Sequence, residues 1–85
     1  MSVKLRIRQI LKDTVGLKRN ISAIGDTDNL FDAGLSSHDA MGLMIAIEEA
    51  FNAEFPDDLL HRDTFASISA IAGALEKIGV TKAAT

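Results

Sequence analysis

The sequence has no cysteine, no tryptophan and no tyrosine, and it has a single proline. Without cysteine there is no disulfide, no thiolate metal site and no thiol nucleophile supplied by the chain itself. Four phenylalanines are the only large aromatic residues, so the core has to be mostly aliphatic. No apolar run reaches the roughly 18 residues of a membrane span. The opening MSVKLRIRQI alternates charged with apolar residues and lacks the core of a signal peptide. Eighty-five residues make one domain with one small core. The lack of cysteine is compatible with the cytoplasm, the expected location, and the chain is expected to be a monomer.

Charge is uneven along the chain. Residues 1–25 carry +5, residues 26–63 carry −9 and residues 64–85 carry +1, for a net charge of −3. The middle stretch holds ten Asp/Glu and one basic residue, Arg62. Such a surface repels nucleic acid and attracts basic protein surfaces.

The hydrophobic pattern predicts an all-α fold. Ser2 caps a first helix running to about residue 15, with Val3, Ile7, Ile10, Leu11 and Val15 inward and Gly16 as its stop. Lys4, Arg8 and Lys12 share another face of that helix and read as a solvated row. Residues 17–35 show no sustained period. So long a connection needs anchors, and Leu17, Ile21, Ile24, Leu30 and Phe31 can supply them.

Asp26 to Asp32 looks briefly like a calcium loop. It lacks an oxygen ligand at Leu30, a glycine at Phe31 and a glutamate at Ser37, so turn and capping roles suit these residues better and no metal is expected.

Residues 31–51 organise the rest. Asp32 and Gly34 mark a turn. Ala40, Leu43, Met44, Ile47, Ala50 and Phe51 then recur at helical spacing on one buried face, with Met41 and Ile45 as a second row beside it. Ser36 as N-cap and Asp39 three residues later form a capping box. The helix is predicted over 37–52, with the Ser37 hydroxyl facing solvent beside free N–H groups. Pro56 starts one short helical turn over 57–61. Phe65 is a core anchor. Ser67 caps a last helix with Ile68, Ile71, Ala72, Leu75 and Ile78 inward, ended by Gly79. The result is a small bundle of three main helices plus one short helix, with a long loop between the first two, a domain over 1–79 and a flexible tail over 80–85.

Ser37 is poorly suited to hydrolysis. His38 is the next residue on the same helix, so its side chain points about 100° away around the axis. The run Gly34-Leu35-Ser36-Ser37-His38 also lacks the closing glycine of a nucleophile elbow. No catalytic residue is expected. An exposed serine at a helix N-terminus is instead favourable for a phosphodiester, because the free N–H groups and the helix dipole favour an anion there.

The register Gly34, Leu35, Ser36, Ser37, His38, Asp39, then Met41, Gly42, Leu43, Ala46, Ile47, Glu48, Glu49 and Phe51, followed by Glu54-Phe55-Pro56-Asp57, resembles the acyl carrier proteins. Their pattern is a Gly-Leu turn, an Asp-Ser-Leu signature, a helix ending in E-E-x-F and a downstream E-I-P-D. The resemblance covers nearly the whole chain. It implies 4′-phosphopantetheine, delivered from coenzyme A to Ser37 by a phosphopantetheinyl transferase, with acyl groups then carried as thioesters and the chain itself not an enzyme. It also implies that Leu35, His38, Asp39, Met41, Ile45, Glu48 and Glu49 meet synthase, acyltransferase or loading enzymes through basic docking surfaces.

Ser36 stands where the family has Asp, His38 where it has Leu, and Gly42 where Glu is common. The resemblance implies service in fatty-acid, polyketide or other specialised lipid or secondary-metabolite synthesis, and these departures point away from housekeeping fatty-acid synthesis toward a specialised carrier with its own partners. Two alternatives remain open. One is an aminoacyl or peptidyl carrier. The other is an unmodified helical adaptor that binds through Met41 and Ile45.

Overall fold

The computed structural model describes residues 2–15 and 20–80, and among them there are helices and turns but no strand. Helix α1 spans Val3–Thr14, α2 spans Ser37–Phe51 and α3 spans Ile68–Lys77. Single 3-10 turns form at Ile21–Ala23, Asp57–Leu59 and Arg62–Phe65. The expected short fourth helix over 57–61 is therefore reduced to the turn Asp57–Leu59, which begins after Pro56 as anticipated. The turn at Arg62–Phe65 was not anticipated; its four residues carry no helical apolar period.

Each α-helix begins at a serine cap. Ser2 Oγ accepts from the Leu5 N–H at 3.1 Å, and Ser67 Oγ from the Ala70 N–H at 3.0 Å. Helix α2 ends one residue before the expected boundary, because Asn52 takes the left-handed conformation (φ 50°) that closes helix C-termini. At the end of α3, Gly79 has φ 92°, the Gly79 N–H reaches the Glu76 carbonyl at 3.0 Å and the Val80 N–H reaches that of Leu75 at 2.9 Å. This pair of bonds is a Schellman motif, and it holds Val80, which was expected to fray with the tail. Gly16, Leu17 and the tail beyond Val80 lie outside the described residues.

Helix α1 packs against both α2 and α3. The core is aliphatic at its centre: Ile7, Leu11, Leu43, Ile47, Ile68, Ile71 and Leu75 are all fully buried. Phe55 and Phe65 close one end, edge to face with centroids 5.6 Å apart. Among the described residues, no helix is long and apolar enough to cross a membrane.

The long connection is held by specific bonds as well as by its apolar residues. Ile24 and Leu30 are buried, while Ile21 and Phe31 are half-buried. The Leu30 N–H donates to the Ala66 carbonyl at 2.7 Å, and the Ser69 N–H donates to that of Asp26 at 2.9 Å. Arg8 corrects the reading of a solvated row on α1. Its guanidinium donates to the Ile21 carbonyl at 3.0 Å and pairs with Asp26 at 2.8 Å, tying α1 to the loop. Asp28 accepts from the Gly25 N–H, and Asn29 from those of Phe31 and Asp32. These are the turn roles expected of the residues that mimic a calcium loop, and the described residues contain no cluster suited to a metal.

Candidate functional site

The turn before α2 aims the chain at the site. Gly34 has φ 113°, a conformation that side chains resist, and the Leu35 N–H returns to the Leu30 carbonyl at 3.0 Å. Ser36 and Asp39 then form the capping box in both directions. Ser36 Oγ accepts from the Asp39 N–H at 3.0 Å, and the Asp39 carboxylate accepts from the Ser36 N–H at 3.2 Å. The cap is thus complete without Ser37. Ser37 is the first residue of α2 and is exposed. Its hydroxyl stands at the positive end of a 15-residue helix, where free backbone N–H groups and the dipole favour a bound anion.

Beside Ser37 lies a groove of about 390 Å³. Buried Phe65 and half-buried Phe31, Ala40 and Met44 line it, together with exposed Ser37, Met41, Leu60, His61 and Arg62. Its volume is within the range of small-molecule sites. The Arg62 guanidinium lies over the Phe31 ring, 3.7 Å from its centroid. Neither Arg62 nor this groove was legible in the sequence, since residues 31, 40–44 and 60–65 meet only in the fold. A lone arginine in an acidic stretch was the available signal.

The expected partner residues separate into distinct groups. Met41 and Ile45 are exposed by 62% and 48%, so the second apolar row does face outward instead of flanking the core. His38 and Glu49 are exposed too. Leu35 is not available: it is only 4% exposed and belongs to the core, because the turn at Gly34 folds it inward. Asp39 is half-buried and committed to the cap. Glu48 is also committed, as its carboxylate accepts the Phe55 N–H at 2.8 Å and so fixes the chain leaving α2.

The three-helix bundle thus presents an exposed serine hydroxyl at a helix start, next to an open groove and an outward apolar row. The family model described as "Phosphopantetheine attachment site" matches residues 5–75. An aminoacyl carrier protein of Agrobacterium fabrum is 47% identical over 72 residues, covering 85% of this chain and 87% of that protein. A carrier protein from Agrobacterium tumefaciens, solved with an engineered Bradyrhizobium japonicum glycine:[carrier protein] ligase and ATP, superposes with a TM-score of 0.86. It is 45% identical, and the match covers 89% of this chain and 99% of that one. The holo acyl carrier protein of Nitrosomonas europaea, at 24% identity and a TM-score of 0.78 over 91% of this chain and 95% of its own, shares the fold. The chain belongs to the acyl carrier protein family, whose members bind phosphopantetheine. It is a carrier and not a catalyst, and its cofactor is a covalently attached phosphopantetheine.

Proposed function

We propose that Ser37 is the attachment point and that the cargo is an aminoacyl group, held as a thioester on the thiol of the arm. The observation that carries the attachment is the division of labour at the start of α2. Ser36 and Asp39 satisfy the cap, so the Ser37 hydroxyl stands exposed at the positive end of the helix. The phosphodiester that forms there gains the helix dipole and the neighbouring N–H groups. Because the chain has no cysteine, the arm supplies the only thiol.

The likeness to an aminoacyl carrier protein at 47% identity favours an amino acid over a fatty acyl chain. Ser36, His38 and Gly42, which depart from the wider family's pattern, lie in the turn and first half of α2, where loading enzymes would read the carrier. The partners follow from this reading. They are a phosphopantetheinyl transferase and an ATP-dependent amino acid:[carrier protein] ligase, docking on Met41, Ile45, His38 and Glu49. The test is a competition. The holo-protein is offered glycine and ATP with a glycine:[carrier protein] ligase, and a fatty acid and ATP with an acyl-activating enzyme. Intact mass is expected to show the aminoacyl adduct from the first mixture. A fatty-acyl adduct alone would contradict the aminoacyl reading.

A further inference from the structure

From residue 20 to residue 76 the chain has one lysine or arginine, Arg62, against eleven Asp/Glu. That residue does not join the acids. Among the described residues the salt bridge is between Arg8 and Asp26, and Arg62 lies over the Phe31 ring instead. A guanidinium carbon 3.7 Å from the ring centroid is in cation–π contact, and the N–H groups turned away from the ring remain able to donate. The contact also restrains a side chain that would otherwise lose much rotamer entropy on binding. Arg62 and Ser37 line the same groove.

We propose that Arg62, held on Phe31, is a positioning residue that donates to the phosphodiester of the arm and draws the arm into this groove. The proposal rests on attachment at Ser37. A phosphodiester there is covalently placed on an acidic surface, with Asp39 two residues away. The helix terminus offsets part of the repulsion, and a guanidinium is the natural second counter-charge because its edge matches two phosphate oxygens at once. The apolar lining beyond it, from Met44 and Phe65, then receives the methyl-bearing part of the arm. Between loading events the thiol would lie along the protein, and a docked enzyme would displace the arm by competing for the same anion.

The test uses the full-length holo-protein with the arm confirmed by intact mass. The ³¹P resonance of the phosphodiester is recorded folded and in urea for wild type, Arg62→Ala and Arg62→Lys. Alkylation of the arm thiol by a bulky maleimide is timed on the same samples. Arg62 is exposed, so both variants are expected to fold, and thermal unfolding verifies it. In Arg62→Ala, the folded-state ³¹P shift is expected to move most of the way to the urea value. Alkylation should speed up about twofold to fivefold, the range of an exposed charge pair. Arg62→Lys should fall between, because it keeps the charge but not the planar edge. Raising NaCl from about 0.05 to about 0.5 M should move wild type toward Arg62→Ala. An unchanged ³¹P shift and alkylation rate in Arg62→Ala would overturn the role of Arg62 and leave the carrier reading intact. A wild-type chain that gains no prosthetic mass at Ser37 would overturn both.

Discussion

The two faces of α2 do different work with similar residues. The inward face buries Leu43, Ile47 and Phe51 completely or nearly so, and the adjoining Glu48 spends its carboxylate on the Phe55 N–H. The outward face leaves Met41 and Ile45 in solvent, with Glu49 exposed beside them. Glu48 and Glu49 are adjacent and chemically alike, yet one closes the fold and the other is free to meet a partner. Of two neighbouring acidic residues, the hydrogen-bond partners therefore show which one also serves the fold.

Substitutions on the two faces should separate stability from recognition. Leu43→Ala, on the inward face, is expected to cost about 2–5 kcal/mol in urea unfolding, since a fully buried leucine leaves a cavity that the surrounding helices fill only in part. Glu48→Ala should cost about 1–2 kcal/mol, because it removes a charge-assisted bond and leaves the Phe55 N–H to find water. Glu49→Ala should change stability by less than about 0.5 kcal/mol. An equal loss at both glutamates would erase the distinction between the faces.

Gly42 sharpens the comparison from the outward side. A Cβ there meets nothing within 4 Å, and the glycine sits mid-helix, so Gly42→Ala should stabilise the fold by about 0.5–1 kcal/mol. At the smallest scale, Glu49→Lys should leave thermal unfolding almost unmoved. It should slow arm loading a few-fold at low salt, and the difference should shrink as salt is added. A salt-independent loading rate for wild type would mean that the acidic outer face does not steer partners.

Much of this was legible in the sequence. Serine caps at positions 2, 36 and 67, the glycine stop at 79 and the inward stripes of all three helices follow from local chemistry and spacing. These are contacts between residues three or four apart, and they appear where the pattern puts them. What was not legible depends on distant residues meeting. Arg8 looked like one of three solvated cations, but the long loop folds back to place Asp26 and the Ile21 carbonyl against it. Leu35 looked like part of the presented motif, and the turn at Gly34 buries it. The groove needs residues from the loop, α2 and the turn before α3, so no window of sequence contains it.

The central claim is that Ser37, and not its neighbour Ser36, holds the arm. Intact-mass spectra of Ser37→Ala and Ser36→Ala after treatment with a phosphopantetheinyl transferase and coenzyme A test it most directly. Ser36→Ala should gain the mass of the prosthetic group while losing about 1 kcal/mol of capping stability, and Ser37→Ala should gain nothing. A Ser37→Ala protein that still takes up the arm would contradict the account.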